Sequence, residues 1–244
     1  MTALPTAPEQ LRSPASAQAS ATAQALREFA PDLLLVDLAF AELRYVLPSL
    51  ECEAWLLLRW IPKRLLGGPF NKTFRPEQYA RVIGTEPGLP FEVPFQLEPI
   101  VVCNPDECVG PERLRQHLGV VSARPLSLIA HTGKPHEAAG LERLEREAFP
   151  QNTVVRLSLY DAHSASGAPA LFPLAPWLPG ADRIVGGAGY ALYWETHWLG
   201  LRGRSELRPF SRGIDDQSPR MRNGEHYVMR RNGADQLAAW VAQG

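Results

Sequence analysis

The stretch ADRIVGGAGYALYWE, residues 181–195, decides the fold class. Asp182-Arg-Ile-Val185 reads as a short strand, Gly186-Gly-Ala-Gly189 as a turn of small residues, and Tyr190 to Leu199 as a helix. A strand running through small residues straight into a helix is a building unit of an α/β sheet. Ligands of such sheets bind at the carboxyl ends of the strands. Small residues there let a ligand approach the backbone, and amides at a helix start favour a phosphate. The cluster is not a G-x-G-x-x-G fingerprint, and no acidic residue follows at the distance that fingerprint requires. Tight packing of helix on sheet accounts for the glycines equally well.

The same alternation extends in both directions. Pro125 to Ala130 reads as a strand that enters the polar loop His131-Thr-Gly-Lys-Pro135. A helix follows over His136 to Phe149, carrying Leu141, Leu144 and Ala148 on one face, and then a strand over Thr153 to Leu159. Towards the N-terminus, a helix begins near Thr22, presents Ala25, Leu26 and Phe29 as a stripe, and stops at Pro31. Leu33 to Val36 and Trp55 to Leu58 are short apolar strands of the kind buried in parallel sheets, with a helix between them over Phe40 to Leu50. Residues 62–98 are rich in Pro and Gly and read as loop. Pro99 to Val102 reads as a strand and Pro111 to Leu118 as a helix with Gly119 as its stop. A helix over Ala234 to Ala242 closes the chain. Strand and helix in turn predict a right-handed parallel α/β sheet.

Composition narrows the function classes. The chain has 244 residues, of which 45% are hydrophobic and 21% charged, with a formal net charge of -1. That balance excludes a protein held on nucleic acid mainly through phosphate contacts. The best apolar run, Ala54 to Leu58, stops at Arg59, far short of the ~20 residues of a membrane helix. Residues 1–22 carry neither a basic start nor an apolar block and read as a disordered, low-complexity tail rather than a targeting signal. Cys52, Cys103 and Cys108 form no disulfide framework and no zinc pattern, and they suit a reducing cytoplasm. Lys63, Arg64, Lys72 and Arg75 beside Trp60 and Phe70 are compatible with a peripheral contact to anionic headgroups, although a solvated loop is the simpler reading.

Two further elements bear on chemistry. Glu195 lies seven residues beyond Ala188, two helical turns away, so it shares that face of the helix. A carboxylate there can accept hydrogen bonds from two vicinal ribose hydroxyls; its plain alternative is a solvent-facing helix residue. Asp215-Asp216-Gln217 follows the apolar segment Leu207 to Phe210 at another strand end. Such side chains accept from and donate to sugar hydroxyls, or serve merely as a turn and helix cap.

In this order, these elements resemble the C-terminal half of nucleotide-sugar-dependent glycosyltransferases of the GT-B fold. The most similar group includes the peptidoglycan N-acetylglucosaminyltransferase MurG and its bacterial relatives. The resemblance rests on residues 181–195 and on GIDDQSPR, residues 213–220, and extends loosely over residues 24–244. It implies a GT-B-like α/β fold, with a complete C-terminal Rossmann-like donor domain and a partial N-terminal α/β domain. The implied divisions are a tail over 1–22, an acceptor-side domain over 23–98, a linker over 99–124 and a nucleotide-sugar-binding domain over 125–244. His131, Thr132, Gly133, Gly187, Ala188, Gly189, Tyr190 and Glu195 would hold the donor's diphosphate and ribose, and Asp216 and Gln217 its sugar. The expected donor is UDP-linked, and neither a metal nor another cofactor is expected. The implied reaction transfers the sugar to an acceptor hydroxyl, with the catalytic base unassigned.

The chain departs from that family in two places. Leu199 to Glu206 is an Arg-rich insert, and the segment before Pro31 has no room for the family's first strand and Gly-rich loop. The acceptor half is therefore expected to be truncated, with an open sheet edge over residues 24–60 that pairs with a second copy or a partner subunit. The alternatives to an active transferase are a non-catalytic remnant that binds a nucleotide sugar or a partner protein, and one subunit of a split enzyme.

Overall fold

The computed structural model of the protein describes residues 13–63, 74–131, 133–157, 171–212, 215 and 217–243. The chain divides into two compact units, Met1–Leu97 and Glu98–Gly244. Each holds one parallel sheet.

In the first unit, helices α1 (Pro14–Gln18) and α2 (Ala21–Phe29) precede strand β1 (Leu33–Asp37). Helix α3 (Phe40–Leu43) leads to β2 (Glu53–Leu58), and β3 (Arg81–Gly84) and β4 (Phe95–Gln96) complete a sheet of order β1-β2-β3-β4, parallel throughout. Ala54 to Leu58 of β2 are all buried, which is why this strand is a continuous apolar run rather than an alternating one. Val36, Leu56, Leu58, Ile61 and Val82 form the core.

Three expectations are corrected in this unit. The tail reading fails from Ser13 onwards. Ser13 and Ser20 cap α1 and α2 by accepting the Ser16 and Ala23 amides at 3.2 Å. Ala17 and Ala23 pack against Val46, so the alanines that read as low complexity are small contact residues. The helix expected over Phe40 to Leu50 breaks after Leu43 and resumes as a 3₁₀ turn over Leu47–Ser49, because Pro48 supplies no amide to an α-helical ladder. Residues 62–98, read as loop, contain β3 and β4. Within β3 only Val82 and Ile83 give an apolar signal and pairing with β2 does the rest, while β4 pairs in turn with β3. Residues 1–12, and Arg64, Phe70 and Lys72 of the basic and aromatic stretch, lie outside the described residues.

The second unit begins with α4 (Pro111–His117), followed by β5 (Leu126–Ala130), α5 (Pro135–Ala148), β6 (Thr153–Arg156) and β7 (Arg183–Gly187). Helix α6 (Tyr190–Trp198), β8 (Ser205–Arg208), α7 (Gln217–Gly224) and α8 (Gly233–Ala242) complete it. The strand order is β6-β5-β7-β8, again parallel. The chain passes from β5 to β6 on one side and returns to β7 on the other. The order therefore reverses between β5 and β7, and their carboxyl ends form the switch point at which such sheets open a crevice.

Pro99 to Val102 is not a strand. Its backbone bonds to side chains instead: the Ile100 amide donates to the Tyr190 hydroxyl at 2.8 Å, and Val101 exchanges two hydrogen bonds with Asn232. The segment expected as a linker belongs to the second unit, since Leu114 of α4 is fully buried with Leu126, Leu128 and Leu178. At the amino ends of the strands, Ser127 Oγ donates to Glu145 at 2.7 Å and accepts from Asn152 at 2.9 Å. Arg183 Nε donates to the same carboxylate at 2.9 Å, and Arg183 also pairs with Glu206. Among the described residues no helix is long and apolar enough to cross a membrane.

Candidate functional site

A cavity of about 510 Å³ opens where β5 and β7 end, with Ala130 and Gly187, the last residues of those strands, in its wall. The loop after β5 supplies His131 and Gly133, the turn after β7 supplies Gly189, α6 supplies Tyr190 and Glu195, and α7 supplies Gln217. Seven residues expected at the site are thus gathered in one wall. Thr132 and Asp216 lie outside the described residues. Ala188 is the exception: it is fully buried, its amide donates to the Arg208 carbonyl at 2.9 Å, and its carbonyl accepts from Arg220 at 3.1 Å. Both of its backbone groups are consumed by the fold.

The glycines divide by purpose. A Cβ on Gly186 would come within 2.4 Å of the Ala130 carbonyl oxygen, and one on Gly187 within 2.9 Å of His131 Nδ1. These two let strand, helix and loop close together. A Cβ on Gly189 would meet only Gln217 Nε2, at an ordinary 3.8 Å, so Gly189 keeps the cavity open rather than the packing tight. Gly189 is the N-cap of α6. Among the described residues the amides of Ala191 and Leu192, in the first turn of α6, make no hydrogen bond, which leaves donors and the positive end of the helix dipole at the cavity wall.

Glu195 is 6% exposed, although its helix starts at the surface of the cavity. No hydrogen bond or ion pair reaches its carboxylate among the described residues. Burial alone pushes its pKa up to about 7, so near neutrality the carboxyl is divided between its two forms. The reading of Glu195 as a solvent-facing helix residue is excluded by that burial.

Gln217 Oε1 accepts the Phe210 amide at 3.0 Å, which fixes the side chain and turns Nε2 towards Gly189. Asp215, also in the wall, is paired with Arg220 at 2.8 Å. His131 Nε2 lies 2.9 Å from Glu137, and its ring packs against Phe210 with centroids 4.8 Å apart and planes tilted by 46°. Arg212 pairs with the same carboxylate, and its hydrogen bonds are the leading reason the Glu137 pKa falls to about 2. Val102, Phe172 and Leu174 add an apolar wall.

Arg212, Glu137, Arg220 and that apolar wall were missed by sequence reasoning. The 75 residues that separate Glu137 from Arg212 leave no local signal; a lone Arg after a strand is the only hint. Chemically, the cavity offers amides and Arg212 to an anion, a carboxyl to hydroxyl groups, an amide donor at Gln217, and an apolar face. Among the described residues no three His, Cys, Asp or Glu side chains gather as a metal site.

No family model and no curated protein sequence matches the chain. Among solved structures, the chain is similar to "Spinosyn Forosaminyltransferase SpnP" at 17% sequence identity and a TM-score of 0.45. The match covers 74% of this chain and 58% of that one, so the chain spans less than two thirds of that protein's length.

Proposed function

We propose that the second unit binds a nucleoside diphosphate sugar and that the chain is a glycosyltransferase-type enzyme moving the sugar to an acceptor hydroxyl. Glu195 carries this reading. A buried carboxyl that meets no donor or cation among the described residues is costly, and two vicinal ribose hydroxyls would supply donors to it. The diphosphate then falls to the start of α6, with Gly189 admitting it, Gly187 in the wall beside it, and His131, Gly133 and Arg212 facing it. Gln217 Nε2 is left to donate to the sugar, and Thr132 and Asp216 are assigned to the same ligand from sequence. A UDP-linked donor in the cytoplasm remains the proposal made from the resemblance.

In the transfer, the acceptor oxygen bonds to the anomeric carbon as that carbon's bond to the diphosphate oxygen breaks. The electron pair leaves with the diphosphate, and a base takes the acceptor proton. The helix dipole, the α6 amides and Arg212 stabilise the charge that grows on the leaving group. Among the described residues, the cavity's His131 is engaged with Glu137 and its Asp215 with Arg220. That engagement supports a second reading, in which this chain binds the nucleotide sugar and a base on another chain, or none, completes the reaction.

Calorimetry with UDP, ADP, GDP and dTDP, followed by an assay for release of nucleoside diphosphate from the matching sugar donors, tests both. Binding with release supports transfer. Binding without release under any acceptor supports the module reading. No binding of any nucleotide overturns both.

A further inference from the structure

We infer that Glu137 is a positioning residue for the anion end of the cavity, holding Arg212 and the His131 ring in place beside a bound diphosphate. The inference rests on the nucleotide reading for its natural ligand, but its geometry is independent of that reading.

Glu137 sits in the first turn of α5 and does not itself line the cavity. Its Oε1 accepts Arg212 Nη1 at 2.8 Å. Its Oε2 accepts His131 Nε2 at 2.9 Å and the Lys134 amide at 3.1 Å, and Arg212 Nη2 as well. So many donors keep the carboxylate ionised, and an ionised carboxylate only accepts. The ring proton therefore resides on Nε2, directed at Glu137. Nδ1 packs against Gly187, where a Cβ would come within 2.9 Å of it, so the ring is wedged between Glu137 and the end of β7 with its side chain 5% exposed. Arg212 is drawn to the same side by a two-pronged contact suited to a planar guanidinium.

Gly133 supports the assignment from a different direction. A Cβ there would come within 2.4 Å of His131 Nε2, 2.6 Å of Glu137 Oε2 and 2.7 Å of Arg212 Nη2. The loop gives up a side chain at the point where all three groups meet, and the reason is space.

The test uses inorganic pyrophosphate, which has no ribose and so bypasses Glu195, beside UDP. Wild type, Glu137→Gln and Gly133→Ala are titrated by calorimetry, and the His131 tautomer is read from ¹⁵N shifts, assigned with His131→Gln. In wild type the Nε2-protonated tautomer dominates; in Glu137→Gln it loses that dominance. Both variants bind pyrophosphate and UDP about tenfold more weakly than wild type, a loss of about 1.4 kcal/mol. Gly133→Ala keeps every charge, so its loss reports geometry. Unchanged pyrophosphate affinity in folded Glu137→Gln, or an Nδ1-protonated ring in wild type, overturns the inference. Pyrophosphate binding with no gain for any nucleotide would leave Glu137 in this role and remove the nucleotide reading. UDP binding indifferent to Glu137→Gln would do the reverse, and wild type that binds neither probe overturns both.

Discussion

Arg220 Nη1 donates to the carbonyl of Ala188 over 3.1 Å, from a side chain wholly shielded from solvent. Its Nη2 reaches Asp215 at 2.8 Å. One guanidinium thus ties α7 to the turn after β7 and to the segment that follows β8. Arg220→Met keeps the apolar stem and removes both of these hydrogen bonds together with the guanidinium's contact over the Tyr190 ring. Losing them and leaving Asp215 without this cation should cost on the order of 3 kcal/mol. Urea unfolding at neutral pH measures this; a shift under 0.5 kcal/mol would show that the contacts are incidental.

Glu195 gives a pH dependence of definite sign. Its folded pKa, about 7, lies above the ordinary 4.5, so between those values the folded state binds more protons than the unfolded chain. Stability from this group therefore falls as pH rises from about 4.5 to 7, and the full penalty of about 3 kcal/mol applies above that window. Glu195→Gln, permanently neutral, should be more stable than wild type at pH 8 by up to that amount and nearly equal to it at pH 4.5. Denaturant melts at the two pH values decide, and equal stabilities at pH 8 would refute the burial argument.

The ribose assignment predicts coupling. Glu195→Gln should weaken UDP binding roughly ten- to a hundredfold, the worth of a hydrogen bond to a charged group. A 2′-deoxy analogue should bind wild type weakly and lose little more in the variant, because both changes remove the same contact. Full additivity over the four protein–ligand combinations would separate Glu195 from the ribose.

The neighbouring glycines should respond in opposite ways. Gly186→Ala places a methyl group against the Ala130 carbonyl and should cost about 1–3 kcal/mol of stability. Gly189→Val should leave stability nearly unchanged and narrow the cavity, weakening a diphosphate ligand. Thermal melts and titrations on the same samples separate the two effects. Loss of stability in Gly189→Val would restore the packing role that sequence alone suggests for it.

Much of the parallel architecture is legible because buried parallel strands are apolar on both faces. Leu33 to Val36, Trp55 to Leu58 and Leu126 to Ala130 announce themselves in this way. Arg81–Gly84 does not, since two apolar residues carry no period and its strand character comes from its neighbour. The opposite error falls on Pro99 to Val102, which is apolar enough for a strand but is held by Tyr190 and Asn232, residues distant in sequence. In the cavity, Gly187 and Glu195 are readable because one short segment spaces them. The knot of His131, Glu137 and Arg212 is not, because it exists only after β5 and β8 have been brought into one sheet.

The ion cluster of Ser127, Glu145, Arg183 and Glu206 lies at the end of the sheet opposite the cavity. Its consequence is a division of mutational tolerance. Register and twist are anchored away from the carboxyl-end cavity, so changes to the carboxyl-end loops need not be compensated in the strands. A lineage carrying this sheet is free to exchange ligand preference through residues 131–134, 186–189 and 210–217 while its frame stays fixed. Drift at Glu145 or Arg183, by contrast, would loosen every strand they join at once.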